Sequence, residues 1–308
     1  MTRYALNPLQ WITVDGRWRY AEPDFRADYP GVLAQVRDSG FDAVMLEVLA
    51  TQTLQDYARM IADAGLALAP GYCAVGLPED HGAVPHSPGP QRGTAEWVRW
   101  FDGVRRKAEE SNYFGLDTVF LSPEMNFAET SVRTSEAVAV GAAFDEGRLD
   151  RLIEVLGEAA EVLRAEGVRA GLHNHVGSWV ETEHEIDRVL DALDPTLLGA
   201  SFDVGHLVWA GIDPVAMLTR HADRLVDLHV KDLDLAVAEA SRATPTGYDE
   251  ASGRGLFREP GTGGIDLDAV LAALPDGFPG WIIIEIDRTV MDPFESARAC
   301  RAWVERVA

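Results

Sequence analysis

The sequence predicts an α/β protein built as a (β/α)₈ TIM barrel. Three observations support this fold class: β-rich runs alternate with longer amphipathic runs, eight of each occur, and several β-rich runs are apolar at consecutive positions, as in strands covered on both faces. The 308 residues leave about 38 residues for each strand–helix unit, which is enough for a barrel with long loops. The length alone would also fit two domains, and an open doubly wound sheet is the weaker alternative.

The strands and helices follow one another in a regular order. The predicted strands are Tyr4–Leu9, Ala43–Val48, Ala67–Cys73, Thr118–Leu121, Arg169–His173, Leu198–Asp203, Leu225–Val230 and Trp281–Ile286. The predicted helices are Gly31–Ser39, Thr53–Ala64, Thr94–Glu110, Asp145–Glu166, Glu183–Leu193, Pro214–Ala222, Ile265–Leu274 and Pro293–Val307. Gly40, Gly65 and Gly167 separate a helical run from the next strand, where glycine most easily adopts the left-handed conformation that ends a helix.

We expect residues 1–308 to form one barrel domain with two long loops at its C-terminal mouth. The loops, Ala74–Arg92 and Asp232–Gly264, both follow predicted strands. No Gly-x-Gly-x-x-Gly follows the first strand and no Walker loop occurs, and we interpret Gly261-Thr-Gly-Gly as a turn in preference to an anion site.

The composition excludes several kinds of partner. The chain has 27 Lys and Arg against 50 Asp and Glu, a formal net charge of −23, which disfavours nucleic acid and anionic membranes. No apolar run reaches about 18 residues, and Met1–Gln10 lacks the pattern of a secretory signal, so we expect a cytoplasmic protein. The two cysteines, Cys73 and Cys300, exclude a disulfide framework and are expected to be buried thiols.

Titratable side chains collect at the C-terminal ends of the predicted strands, which in a barrel open on one pocket. They are Glu47, Glu124, His173, His175, Asp203, His206, His229, Lys231, Asp232, Glu285 and Asp287. Each alone has a structural explanation, such as an ion pair of Glu285 with Arg288. So many polar groups at the edge of a core are costly unless they are paired or bind a ligand, and the joint pattern predicts a functional site.

Three of these residues indicate a metal site. Asp203, His229 and Glu285 end three successive strands, about 26 and 56 residues apart, as neighbouring barrel strands are spaced. Carboxylate and imidazole donors without a thiolate suit a divalent ion. Ligand hardness favours Mn²⁺ or Co²⁺, while Mg²⁺ and Zn²⁺ stay open.

Several of the same segments carry a family resemblance. Gly171-Leu-His-Asn-His, Ser201-Phe-Asp-Val-Gly-His-Leu, Leu228-His-Val-Lys-Asp and Ile284-Glu-Ile-Asp resemble the motifs of strands five to eight in the xylose-isomerase-like TIM barrels, the sugar isomerase and epimerase superfamily. The opening Asn7-Pro-Leu-Gln-Trp, and Asp203-x-x-His206 followed by Ala210-Gly-Ile-Asp-Pro, look most like inosose dehydratases.

The resemblance implies a ligand set for a divalent cation. Asp203, His229 and Glu285 match three ligand positions of the family. Epimerases usually have Glu where this chain has His173, so the fourth ligand is His173, Glu181 or water. Because this departure removes a carboxylate that could transfer a proton, it weakens the case for an epimerase and favours a dehydratase.

The resemblance also implies a reaction. We expect a lyase that dehydrates 2-keto-myo-inositol or a related keto-sugar through a metal-stabilised enediolate, since the cation makes the hydrogen beside the carbonyl acidic. An isomerase or epimerase of a free or phosphorylated ketose shares all these residues. A relative that cleaves C-glycosides with a partner subunit, and a non-catalytic sugar-binding barrel, are further alternatives.

Roles for the remaining polar residues follow from this chemistry. Proton transfer is assigned to Glu124 and His206, with His175 and Lys231 as further catalytic candidates, because expulsion of hydroxide needs a general acid. The residues expected to contact a small sugar or cyclitol substrate are Glu47, Trp11, Trp18 and Arg288. The sequence leaves the oligomeric state open, including a homo-oligomer.

Overall fold

The computed structural model describes residues 2–14, 17–19, 22–49, 52–80, 92–125 and 131–308. Its eight barrel strands are β1 (Arg3–Asn7), β2 (Ala43–Met45), β3 (Ala67–Ala69, continued by Tyr72–Val75), β4 (Thr118–Pro123), β5 (Arg169–Leu172), β6 (Leu198–Ala200), β7 (Leu228–Val230) and β8 (Trp281–Glu285). The helices that complete the eight strand–helix units are α1 (Pro23–Asp38), α2 (Leu54–Ala64), α3 (Asp102–Tyr113), α4 (Glu146–Ala165), α5 (Glu183–Ala192), α6 (Pro214–Arg220), α7 (Leu267–Ala272) and α8 (Pro293–Val307).

Further elements lie between these units. The short helices are Leu9–Ile12, Ala95–Trp100, Val132–Ser135, Val204–Trp209, Leu235–Ala243 and Tyr248–Gly253, and the short antiparallel strand pairs are Thr13–Val14 with Arg17–Trp18 and Asp232–Leu233 with Phe257–Arg258. None of the described helices combines the length and the apolar character needed to cross a bilayer.

The eight strands are parallel and close into a barrel. β1 pairs with β8 and with β2, β2 pairs with the first part of β3, and the second part of β3 continues through β4 and β5 to β6. β7 pairs with β8, and the bridges Ala200 to Leu225 and Asp203 to His229 join β6 to the β7 segment. This closure confirms the predicted (β/α)₈ TIM barrel.

The inside of the barrel is filled by side chains that support the site. A separate apolar cluster consists of Ala5, Ala43, Met45, Ala69, Phe120 and Ile283, all from barrel strands. The ring of Phe120 lies 4.2 Å from the ring of His229 and 5.7 Å from that of His173, centroid to centroid. The polar strand ends therefore rest directly on this apolar layer.

Two predicted helices have different bounds in the structure. α1 begins at Pro23 rather than at Gly31 and contains Pro30. Although an internal proline removes one helical hydrogen bond, Phe25, Tyr29 and Leu33 are completely buried, and their packing holds the helix together. The predicted helix Thr94–Glu110 is interrupted at Phe101 and consists of Ala95–Trp100 and α3.

The predicted loop Asp232–Gly264 is in fact a folded insert, which corrects the expectation of an irregular segment. It contains two short helices and one strand pair. The carboxylate of Asp232 accepts hydrogen bonds from the backbone amides of Gly261 and Gly263, both at 2.9 Å, and of Ile265 at 3.0 Å. The glycine-rich turn therefore wraps around an internal carboxylate, and a Cβ at Gly263 would lie only 2.3 Å from Asp232 Oδ1.

Candidate active site

The four predicted metal ligands meet above the barrel interior. Asp203 Oδ2 lies 3.7 Å from His229 Nδ1 and 4.0 Å from His173 Nε2. His229 Nδ1 lies 3.8 Å from Glu285 Oε2. All four side chains are buried, and Asn7 of β1 donates a hydrogen bond to the Glu285 carboxylate. The parallel pairing of β5 to β8 brings these strand ends together.

The backbone around Asp203 holds its carboxylate in one orientation. Asp203 is the N-cap of the helix Val204–Trp209, where its Oδ1 accepts a hydrogen bond from the amide of His206 at 3.0 Å. Asn174 accepts from the Asp203 amide at 2.9 Å and donates to its carbonyl at 3.2 Å. The second carboxylate oxygen, Oδ2, is thereby directed towards the histidines.

The donor set fits a divalent cation. Ligand atoms of His173, Asp203 and His229 all lie within 4.8 Å of one another. Within the part of the chain that the structure describes, Asp203 Oδ2 is buried without a hydrogen-bond partner, although Lys231 Nζ is 3.0 Å away. A buried carboxylate oxygen without a hydrogen bond is unusual, and an ion would satisfy it.

Lys231, another predicted catalytic candidate, has a side chain that does not line the cavity. It is completely buried, and Nζ lies 3.0 Å from Asp203 Oδ2, 2.6 Å from Glu285 Oε1 and 2.6 Å from Asp287 Oδ1. Burial opposes the charged forms, but these pairs raise the pKa of Lys231 and hold the pKa of Asp203 and of Asp287 well below the usual range. Three carboxylates around one ammonium leave a formal charge of −2.

A second group of donors lies beside the first. It consists of His175, His206 and Asp287, whose ligand atoms also lie within 4.8 Å of one another. His206 Nε2 is 2.9 Å from Lys231 Nζ and 3.4 Å from Asp287 Oδ2, and the residue is only 1% exposed. His206 therefore does not line the cavity.

A cavity of about 700 Å³, counting the space at its open mouth, leads from the surface to these groups. Its polar lining comes from Glu47, Tyr72, Ser122, Glu124, His175, Glu285 and Asp287. Burial raises the pKa of Glu47, and Lys107, 4.0 Å away, opposes this change.

Not all predicted substrate contacts are at the cavity. The indole of Trp11 is buried in the core and donates to Gln35 at 3.1 Å, and Arg288 lies against Asp249 and Gly253 of the insert, so neither lines the cavity. The side chain of Trp18 lies outside the described part of the structure.

Among the described residues, His175 is the histidine that lines the cavity. Its Nδ1 lies 2.8 Å from the carbonyl oxygen of Val176, which can only accept, so Nδ1 carries the proton and Nε2 is the acceptor. Burial and the neighbouring His206 and Lys231 hold the pKa of His175 well below its usual range. This residue is therefore neutral at pH 7.

Tyrosines that the sequence analysis missed complete the site. The hydroxyl of Tyr72, at the second part of β3, lies 2.8 Å from His229 Nδ1 and 3.0 Å from Glu285 Oε2. Tyr248, from the insert, donates to Asp287 Oδ2 at 2.6 Å. Burial and the nearby carboxylates raise the pKa of both phenols well above the usual value, so both are neutral donors. The sequence marks this place by a glycine, Gly71, within the predicted strand Ala67–Cys73. A Cβ at Gly71 would lie 2.3 Å from the carbonyl oxygen of Leu46, so the two strands approach closely beside Tyr72.

Glu181, an alternative fourth ligand, is used elsewhere. Its carboxylate accepts backbone hydrogen bonds from Gly177 and Gly141 at 2.8 Å and from Ala139 at 3.2 Å. It also lies 3.9 Å from the buried guanidinium of Arg133. Glu181 therefore stabilises the loops beside α4 and α5 and is not available to an ion at Asp203.

Similar proteins agree with this architecture. An inosose dehydratase from Geobacillus kaustophilus is 35% identical over 161 residues, 51% of this chain and 52% of that protein. The chain thus spans about half the length of the curated relatives it matches.

Solved structures share the fold over the whole chain. A xylose isomerase-like TIM barrel protein from Mycobacterium smegmatis in complex with magnesium aligns with 100% of this chain and 96% of its own, with a TM-score of 0.66 and 17% identity. The IOLI protein with a bound zinc atom aligns with 100% of this chain and 98% of its own, with a TM-score of 0.64 and 16% identity. Residues 33–307 match the family model of the xylose isomerase-like TIM barrel. The chain therefore belongs to the xylose isomerase-like TIM-barrel family.

Proposed function

We propose that the protein is a divalent-metal-dependent lyase that removes water from 2-keto-myo-inositol or a related keto-sugar. The observation that carries this proposal is the convergence of Asp203, His229, His173 and Glu285 beneath a cavity whose polar lining is rich in carboxylates. The sequence similarity to inosose dehydratases over half of the chain supports the choice of reaction.

The metal ligands in this proposal are His173, Asp203, His229 and Glu285. The formal charge of −2 on the three carboxylates and Lys231 is the charge that one divalent ion neutralises. When bound, such an ion supplies Lewis-acid stabilisation of the negative charge that develops on a carbonyl oxygen and its neighbouring hydroxyl. The neighbours' zinc and magnesium support a divalent ion, and ligand hardness favours Mn²⁺ or Co²⁺ here.

The residues that line the cavity perform the proton transfers. His175 Nε2 is unprotonated and accepts the proton from the carbon beside the carbonyl, and the electron pair of that C–H bond stays on the substrate as the enediolate. Glu124, on the wall of the same cavity, transfers the proton that the departing hydroxyl needs. Tyr72 donates a hydrogen bond to the substrate oxygen nearest the cavity floor, and Glu47 binds a further hydroxyl.

Lys231 has a supporting role in this scheme. Its ammonium is held by three carboxylates, and its pKa is raised by them despite its burial. Because a Schiff base needs an unprotonated amine, covalent catalysis through this lysine is disfavoured. Lys231 instead holds Glu285 and Asp287 in position.

A direct assay tests the reaction. Purified protein with Mn²⁺ and 2-keto-myo-inositol is expected to produce the ultraviolet absorbance of a conjugated enone, which isomerisation or epimerisation does not. Asp203→Asn is expected to abolish the signal, whereas Asp213→Asn, at the exposed N-cap of α6, retains it. A rearranged ketose without new absorbance would support the isomerase or epimerase instead.

A further inference from the structure

Two groups of potential metal ligands lie side by side in this barrel. The first donor group is His173, Asp203 and His229, and the second donor group is His175, His206 and Asp287. The ammonium of Lys231 lies between them. Its Nζ is 3.0 Å from Asp203 Oδ2 in the first group, and 2.6 Å from Asp287 Oδ1 and 2.9 Å from His206 Nε2 in the second.

We propose that Lys231 is a built-in cation that takes the place of a second divalent ion, so that this barrel binds one ion instead of two. The inference rests on the metal dependence proposed above and does not depend on the identity of the substrate. It assigns Lys231 as a positioning residue that determines the number of ions.

The charges of the two groups support this assignment. The first donor group, together with Glu285, contains two carboxylates, which one divalent ion balances. The second donor group contains one carboxylate, Asp287, which the ammonium of Lys231 balances. An ion held by Asp287 and His206 would lie within a few ångströms of Lys231 Nζ, and like charges at such a distance in a buried site repel strongly.

The structure also provides a fitted space for the lysine. Lys231 is completely buried, and a Cβ at Gly205 would lie 2.5 Å from its Cβ and 3.4 Å from its Cδ. Glycine at this position therefore leaves room for the lysine stem. The ring of Phe257, from the insert, lies 5.8 Å from Nζ and offers a favourable face to the cation.

This arrangement has a consequence for the chemistry at the cavity. Asp287 and His175 line the cavity, and Lys231 contacts Asp287 from the buried side. Because no ion occupies the second donor group, the Nε2 atom of His175 stays available as a proton acceptor.

Counting bound ions tests the proposal. Metal-free protein is titrated with Mn²⁺ by calorimetry, and the bound metal is measured by elemental analysis after gel filtration. The wild type is expected to bind one ion, Lys231→Met two, and Lys231→Met/Asp287→Asn one. Lys107→Met, which removes a lysine paired with Glu110 at 3.0 Å, is the control and is expected to bind one.

Two ions in the wild type, or one in Lys231→Met, would overturn the proposal. If Lys231→Met does not fold, the double variant is decisive: it is expected to fold because the unbalanced carboxylate is gone, and its failure to fold would refute the charge-balancing role. A wild type that binds no ion would refute the proposed metal dependence as well, whereas one ion in both wild type and Lys231→Met refutes only the role of Lys231.

Discussion

Two buried histidines of the site are expected to make the metal-free protein less stable below neutral pH. Burial holds the pKa of His173 and of His175 well below the usual value of 6.5. The nearby His229 lowers the pKa of His173 further, and the nearby His206 does the same for His175. Below pH 6.5 the unfolded chain therefore binds protons that the native protein does not. The free energy of unfolding is highest above pH 6.5 and falls as the pH decreases.

The size of the effect follows from the two residues. For one histidine that stays neutral in the native protein, lowering the pH from 7.5 to 5.5 costs about 1.4 kcal/mol, with an unfolded pKa of about 6.5. His173 and His175 together cost about 2.7 kcal/mol. This loss is large beside the total stability of about 5–15 kcal/mol of a typical protein.

Urea unfolding in the presence of a chelator measures this loss. The midpoint and slope of the urea unfolding curve are recorded at pH 7.5, 6.5 and 5.5 for the wild type and for His175→Gln. The variant is expected to lose about half of the pH dependence of the free energy of unfolding. His184→Gln, at a site where the side chain is 59% exposed, is the control and should leave it unchanged. Two results would refute the reasoning. One is a wild-type free energy of unfolding that does not change between pH 7.5 and 5.5, and the other is a pH dependence in His175→Gln equal to that of the wild type.

Three further outcomes are expected. Asp203→Asn keeps the hydrogen bond that caps its helix and should weaken Mn²⁺ binding by at least about 10²-fold in calorimetry, and unchanged binding would contradict the ligand assignment. Glu124→Gln should lower kcat by about 10²–10⁴-fold while bound metal is unchanged, and an unaffected kcat would exclude it from proton transfer. Arg133→Met leaves Glu185 buried without its bidentate partner and should lower the free energy of unfolding by about 3–5 kcal/mol. The control Arg188→Met removes a surface ion pair and should lower it by less than about 1 kcal/mol. Similar losses in the two variants would contradict the argument from burial.

The fold could be predicted because a barrel strand is a local feature of the sequence. Runs such as Ala43–Met45 and residues 281–284 are apolar on both faces, and each predicted strand overlaps a strand of the barrel. The insert could not be predicted in this way. Its helices have nine and six residues, too few to be stable alone, and they form because Asp232 fixes the glycine turn and Tyr248 packs on the site.

The site was predictable in position but only partly in detail. Parallel strands bring all their C-terminal ends together, so Asp203, His229 and Glu285 had to lie close to one another once the barrel closed. The direction of Lys231 depends on partners from other strands, and its three carboxylates are known only from the structure. Tyr72 lies within the third strand instead of after it, so a search of strand ends misses it.

The spacing of the motifs explains why two donor groups arise at all. The donors occur in three pairs whose members are two residues apart: His173 and His175, His229 and Lys231, and Glu285 and Asp287. In an extended segment this spacing directs both side chains of a pair to the same face, one step apart along the strand. The first members, His173, His229 and Glu285, surround the hydroxyl of Tyr72. The second members meet one another at Asp287, which lies 3.9 Å from His175 and 2.6 Å from Lys231. One of these second members is a lysine, and its charge turns a potential second ion site into a group suited to hydrogen bonding and proton transfer.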